Sequence, residues 1–538
     1  MTNRSSSMVQ CMVSALIAAA STTAAQAAPS TEFPTYTVGP QTNGSYVMST
    51  GQVITPAGKQ INLSIGLTGT ASPARAKQVV LNPTNPNFAA VLLMGASSSV
   101  DVINLSTGVI TQQYKPFNTK NGSFTGVSYT PDGKHLLFSQ DSSFLAVADV
   151  DPTTGNLTDN THVSLPASNA AINCSGITLG LKSDPVTGLC GQFYTGGTSN
   201  PAGVAVSADS KTGYVLLNQN NTLQAVDLTN AATVGSVAVK GAPVAVGNAP
   251  NSIVVHGKYA YVTNEGGRVA TSSDFTGSSS GTPIVADRFN GSAVTGTISV
   301  YDTTTGQVVQ SIQTGGRHPT GMAISGGYLF VTNTGSDNIG VIDLRTNRLE
   351  RTISVALPLP ADEHDNGHSK FDNNWFDDDW FDHDGRDKSA AFGAQPTSLT
   401  IVGSVAYVTL YTINAVAVVD LSGGVHDKDA VLGYIPTAST PDSVVYDAAH
   451  AQLVVTNDKG IGAQSNKVTS HGSPASYNSH EDQATVSLIP LPNNKTLRTM
   501  TAQVSQNNHW DLQANISGAS GGNPWEHPVA IPKHIGDP

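Results

Sequence analysis

The chain has 538 residues, of which 12% are charged, and a formal net charge of -12. With no basic stripe beside that acidic balance, the composition argues against a nucleic-acid partner. Abundant Gly, Ser, Thr, Asn and Val fit many short strands joined by tight turns, and one closed all-β unit can absorb most of this length.

The first segment, 1–27, reads as a secretory signal peptide. Arg4 supplies the positive end, Met8 to Ala20 the apolar stretch, and Ala25-Gln26-Ala27 a small-residue cleavage site. The apolar run falls short of the ~20 residues that span a bilayer. The expectation is cleavage after Ala27 and a soluble periplasmic or secreted protein with no membrane span.

Beyond it, a β-rich unit recurs. Ala260-Tyr261-Val262-Thr263-Asn264 returns as Leu329-Phe330-Val331-Thr332-Asn333 and Leu453-Val454-Val455-Thr456-Asn457, with a looser copy at Val405-Ala406-Tyr407-Val408-Thr409. Each copy is followed by a second run that closes on a turn residue. These are Asn104, Asp149, Asp227, Asp302, Asp343 and Asp420, with Pro490 in the last copy. Their closest spacings match one four-stranded propeller blade of about 40–50 residues. The predicted fold is an all-β seven-bladed β-propeller over 28–490. The acidic turn residues are read as bonding their own backbone rather than as catalytic groups.

The last unit lacks a fourth strand. The segment around Tyr46-Val47-Met48 or Gln52-Val53-Ile54 is expected to supply it from the N-terminal side, which removes the exposed edges of the ring. After Pro490, Leu497, Met500 and Val504 fall at helical spacing, so 491–538 reads as a short helix and a connector-like tail.

Four insertions break the rhythm, at about 160–200, 268–295, 356–394 and 458–483. Two precede first strands and two separate second from third strands. In an up-and-down blade both positions open on one face. Cys174 and Cys190, alone in the first insertion, are expected to form a disulfide in an oxidising compartment. The entrances to the first strands open on the same face, at Ala249-Pro250, Arg317-His318-Pro319, Gln395-Pro396 and Thr440-Pro441. Arg317, His318 and Gln395 are therefore candidate ligand-binding residues at the funnel mouth. Arg317 and His318 could hold an anion or move a proton, and the alternative is that they only hydrate the channel.

The third insertion carries an acidic run, 361–388. Asp362 to Lys388 contains nine Asp and one Glu against two Lys and one Arg. Asp377, Asp379, Asp382, His383, Asp384 and Asp387 are candidate metal ligands. Alternate carboxylates with Gly385 suit Ca²⁺, and the histidines suit a transition metal. The EF-hand Glu is missing, and a solvated loop held open by self-repulsion is the alternative. No cofactor is required by any motif. G-x-S-x-G, P-loop, H-E-x-x-H and C-x-x-C patterns are absent. His480-Glu481-Asp482 reads as a surface loop.

These repeats resemble the YVTN-type seven-bladed β-propellers of exported bacterial proteins, over about residues 79–490. Val455-Thr456-Asn457-Asp458-Lys459-Gly460-Ile461-Gly462, Ala484-Thr485-Val486-Ser487-Leu488-Ile489-Pro490 and Gln503-Val504-Ser505-Gln506-Asn507-Asn508 look like the end of the propeller in bacterial two-domain phosphoesterase proteins. Val529 to Pro538 is similar to the connector into their alkaline-phosphatase-like metal-dependent domain. The metal ligands and nucleophile of that family belong to the domain after the connector, so none is placed on this sequence. The leading expectation is an exported, monomeric, non-catalytic binding or scaffold module. It would take a protein partner or small ligand on the insertion-bearing face, a separate phosphoesterase domain being one such partner. A lactonase-type propeller hydrolase and a metal-binding protein are the alternatives.

Overall fold

The computed structural model describes residues 37–510, apart from 66, 68–72, 95–98, 119–124, 141–142, 167–198, 280–281, 289–290, 358–392, 424–430 and 464–480. The signal segment, Cys174 and Cys190, the acidic run with Asp377, Asp379, Asp382, His383, Asp384 and Asp387, and the tail after 510 lie outside them. Seven four-stranded antiparallel sheets are built from the described residues, five of them from four consecutive strands and one with a hairpin inserted between its second and third strands. Blades 1 to 6 occupy 75–114, 127–164, 201–245, 248–313, 319–354 and 396–436. Blade 7 combines Ser439–Asp447, Gln452–Gly460 and Thr485–Pro490 with a strand from the N-terminal side. First strands of successive blades pack on one another, and that of blade 7 packs on that of blade 1, so the ring closes. The fold is an all-β propeller.

The closing strand is Lys59–Asn62, which pairs with Thr485–Leu488. This corrects the expected position. Tyr46–Val47 and Val53–Ile54 instead join Gly39–Pro40 in a separate three-stranded sheet. Met48 and Ile54 bury there against Ala438. A strand in blade 7 must place one face between neighbouring blades, and Ile61 does so against Val454 and Val486. The fourth strand of blade 6 is covered by the helix Asn494–Asn507, as the spacing of Leu497 and Val504 predicted. Asn493 caps the helix by accepting from Thr496 N–H at 2.9 Å. Among the described residues no helix is long and apolar enough to cross a membrane.

The Val-Thr-Asn copies stitch this architecture together. Each first strand leaves its ladder near its start, between Pro250 and Ile253, Pro319 and Met322, Pro396 and Leu399, or Pro441 and Ser443. A backbone N–H lost from a ladder in a packed ring needs another acceptor. The motif threonine supplies it: Thr263, Thr332, Thr409 and Thr456 accept from Ser252, Gly321, Ser398 and Ser443 at 2.9–3.0 Å. The same hydroxyls reach the next blade, Thr263 to the Thr320 carbonyl and Thr332 to that of Thr397, each at 3.2 Å. The asparagine then ties second strand to third: Asn264 donates to Ser299 Oγ at 3.0 Å and Asn457 to Ser487 Oγ at 2.9 Å.

The turn residues behave as the sequence suggests, with one exception. Asn104, Asp227, Asp302, Asp343 and Asp420 each accept a backbone N–H two or three residues on. In blade 2 that task falls to Asp151, which accepts from Thr153 and Thr154. Asp149 is drawn away by His135 Nδ1 at 2.9 Å and Asn160 Nδ2 at 2.7 Å.

Two substitutions test this packing in urea unfolding. Thr332→Val keeps the shape but strands the Gly321 N–H, and is expected to cost about 1–3 kcal/mol. Tyr129→Phe should be neutral or stabilising, because the buried Tyr129 hydroxyl has no hydrogen-bond partner among the described residues.

Candidate functional site at the channel mouth

The entrances to the first strands share an unusual backbone. Asn200, Ala249, His318, Gln395 and Thr440 all precede proline and all hold φ between 47° and 56°. Residues before proline favour extended conformations, so these positions persist only where neighbours hold them. Side chains from the preceding blade do so at three of the five. Asn221 accepts from Ala249 N–H and Asn414 from Thr440 N–H, both at 2.8 Å. Asp337 accepts from Gln395 N–H at 2.8 Å and Ala394 N–H at 2.9 Å. Burial raises the Asp337 pKa, against the pull of those two bonds.

His318 presents Nε2 to Glu265 Oε2 of blade 4 at 3.7 Å. The His318 side chain is 46% exposed and that of Glu265 only 17%. Arg317 is half-buried, and its backbone N–H donates to Ser336 Oγ at 2.9 Å. Gln395 is exposed on blade 6. Of the three funnel residues expected from sequence, His318 joins a charged cluster directly, Arg317 precedes it, and Gln395 lies one blade further round.

A larger set of charges completes the cluster. Lys77 Nζ of blade 1 lies 3.2 Å from Asp442 Oδ2 and 3.2 Å from Asp458 Oδ1, both in blade 7. The Tyr411 hydroxyl, just after the second strand of blade 6, donates to Asp458 Oδ2 at 3.2 Å. Asp458 is 1% exposed in its side chain, so its charge depends on these partners. Burial raises the Asp442 pKa; Lys77 opposes the rise and Asp458 adds to it. Burial works against the Lys77 ammonium, yet Asp442 and Asp458 hold its pKa above the ordinary lysine value. Burial, then Asp458, pushes Tyr411 up to about 12.

Glu265 belongs to the His318 side of this set. Burial raises its pKa, His318 offsets part of the rise, and Asp442 adds to it. Blades 5 and 6 separate Glu265 from Asp442 around the ring, and a chain of threonines spans them: Thr263 donates to the Thr320 carbonyl, Thr320 to that of Thr397 and Thr397 to that of Pro441. Between them run the hydroxyls of Thr320 and Thr334, 2.8 Å apart. Six ionisable or phenolic groups from five blades therefore converge: Lys77, Glu265, His318, Tyr411, Asp442 and Asp458.

Sequence reasoning missed five of these six. The signal was positional: Glu265 and Asp458 directly follow Asn264 and Asn457, and Asp442 directly follows Pro441. One step past the repeating residues, the chain turns a side chain to the channel. Glu481 and Asp482 also depart from expectation. Both are buried rather than on a surface loop, with Asp482 Oδ2 3.8 Å from Arg75.

Two further elements frame this face. The insertion after Gly267 is pinned by a two-pronged ion pair of Arg268 with Asp274, at 2.8 and 2.7 Å. Asn248 Nδ2 ties it to the entrance of blade 4 by donating to the Pro283 carbonyl at 2.9 Å. The N-terminal sheet rests near blades 6 and 7, where Gln52 Nε2 donates to the Thr412 carbonyl at 2.7 Å.

No family model and no curated protein matches the chain. Among solved structures it is similar to Kuenenia stuttgartiensis hydrazine synthase, at 13% identity, 72% of this chain, 93% of that chain and a TM-score of 0.46. It is also similar to a streptogramin B lyase, at 10% identity, 80% and 98% coverage and 0.46. The WD40 repeats of RRP9 give 8% identity, 81% and 99% coverage and 0.45. Likenesses this distant carry no argument about activity.

Two variants test the electrostatics by thermal unfolding. Lys77→Met leaves Asp442 and Asp458 without their cation and should cost about 3–5 kcal/mol. Glu265→Gln should raise the melting temperature near pH 8. Because the folded pKa of Glu265 is raised, the folded state carries no penalty below the ordinary glutamate value and the full penalty above the raised one. The gain should therefore vanish as pH falls below about 4.

Proposed function

We propose that the protein is an exported, monomeric binding propeller that takes a small ligand at the channel mouth of its insertion-bearing face. One observation carries the reading: charged side chains of four blades, with the Tyr411 phenol of a fifth, gather at the strand entrances that open on the channel. Burying charge costs free energy, and a scaffold with no ligand to bind would be more stable with threonines such as Thr320 and Thr397 at those positions. A protein partner on the same face, such as the separate phosphoesterase domain that the sequence resemblance implies, is compatible with this reading. The acidic run 361–388, with Ca²⁺ or a transition metal, would then be an accessory to that face.

A ligand that binds the folded state raises the melting temperature by mass action. A thermal-shift screen of polar metabolites is expected to find compounds that stabilise the wild type and lose their effect in Tyr411→Phe and His318→Ala. Hits that shift all three proteins equally would place binding elsewhere and sink the proposal.

The 3.7 Å approach of His318 to Glu265 favours a second reading, a hydrolase using them as a proton-transfer pair. Lactone and phosphodiester hydrolysis by the wild type and His318→Ala separates the two. No turnover above buffer in either is expected of a binding module. Turnover that disappears in His318→Ala would replace it with the hydrolase.

A further inference from the structure

Three strand entrances are held to the preceding blade from one position, the residue directly before its third strand. Asn221 stands before Thr222–Asp227, Asp337 before Asn338–Asp343 and Asn414 before Ala415–Asp420. Each has a φ of 46–54° and accepts the backbone N–H of the residue before proline in the next blade. In blade 4 the same position, before Thr297–Asp302, is Gly296. A Cβ there would lie 2.4 Å from the Gly316 carbonyl oxygen and 2.9 Å from Pro319 Cδ. Blade 5 enters so close to blade 4 that a clamping side chain has no room.

The backbone of this entrance is tied within blade 5 instead. Thr334 N–H donates to the His318 carbonyl and Gly335 N–H to that of Arg317, both at 3.1 Å, while Ser336 Oγ accepts from Arg317 N–H. The side-chain tie from blade 4 to His318 is Glu265, whose Oε2 lies 3.7 Å from Nε2. That distance makes it a charge contact rather than a hydrogen bond, so it holds only while both groups are ionised. Histidine is the side chain that ordinarily changes charge between about pH 5 and 8, whereas an asparagine clamp has no proton to lose. On the elements around the pair, Arg317 shares the entrance, Arg268 is paired with Asp274, and Asp337 spends its two oxygens on Ala394 and Gln395. Asp442 acts on Glu265 with a like charge.

We infer that His318 and Glu265 form a pH-operated latch between blades 4 and 5, fastened when the imidazole is protonated and released as pH rises through the histidine range. The latch stands in for the clamp that Gly296 excludes. Burial raises the Glu265 pKa above the ordinary glutamate value, so the pair is lost again in acid, when the carboxylate takes up a proton. The fastened state therefore occupies the window between the two titrations. Release leaves the Glu265 carboxylate without its cation, so the charge offered at the channel mouth changes with pH. The latch needs no ligand, and its failure would leave the binding role of the channel standing.

Amide hydrogen exchange of the full chain reads the latch at Thr334 and Gly335, whose N–H groups close on the entrance. Asn218 and Gln219 make the equivalent bonds to the Asn200 and Ser199 carbonyls in blade 3 and serve as the reference. After correction for intrinsic rates, protection of Thr334 and Gly335 relative to that reference is expected to fall about twofold to fivefold between about pH 6 and about pH 8. In Glu265→Gln and in His318→Gln the ratio should already be low at the lower pH and stay there at the higher one. A fall that persists in either variant would overturn the inference, because the pair would not be its cause. The wild-type comparison depends on neither variant folding, and a ratio equal at both pH values overturns the latch by itself.

Discussion

The constraint on which the rest of the structure depends is a small one: six of the seven first strands break their ladders where they enter the ring. Seven sheets arranged about an axis must bring their first strands close together, and those strands cannot stay fully paired along their length while doing so. The break leaves backbone N–H groups in a region packed against the next blade, where an unmet donor is costly. A threonine hydroxyl answers it, because it can accept from the freed N–H and still reach a carbonyl in the neighbouring blade. Valine would fit the same space and do neither. Once Thr263, Thr332, Thr409 and Thr456 are placed, the second strands are locked in register. The following asparagine can then bind the third strand, and the residue after it is delivered to the channel.

That chain of consequence explains why the same few residues make both the scaffold and the site. Glu265, Tyr411 and Asp458 hold their positions because the threonine and its equivalents fix the strands just before them. Asp442 and His318 hold theirs because the entrances beside proline are clamped by Asn414 and Ser336 or their counterparts. The strain at five entrances and the desolvation of three carboxylates are thus supported by the bonding of the ring. Neither would survive on an isolated hairpin.

Much of the architecture was legible in the sequence because it rests on repetition. The period of the Val-Thr-Asn copies, the acidic turn residues and the helical spacing after Pro490 each report local bonding, and local bonding leaves a mark on neighbouring residues. The closing strand was misplaced because Lys59 to Asn62 carries no motif, and only its long-range partner, Thr485 to Leu488, identifies it. Tyr46-Val47 and Val53-Ile54 look more strand-like and do form strands, but in a different sheet. The site was half legible. His318 stood out as a histidine beside proline, whereas Lys77 and Asp442 look like ordinary surface residues until the ring brings blades 1 and 7 together. Asp149 taught the same lesson in reverse: its local pattern predicted a turn cap, and His135 from the adjacent strand claimed it instead.

Ring closure by Lys59 to Asn62 also sets an order on how the chain can fold. The closing strand is among the first segments made, and its partner, Thr485 to Leu488, is among the last. Until that partner exists, blade 7 has no third strand to receive it, and the growing arc keeps an unpaired edge at each end. Blades 1 to 6 are each built within one stretch of chain, blade 4 around an inserted hairpin, whereas the ring itself is a contact of very high sequence separation. The slow step of folding is therefore the last one. The same step brings Lys77 to Asp442 and Asp458, so the channel site acquires its internal cation only when the ring shuts.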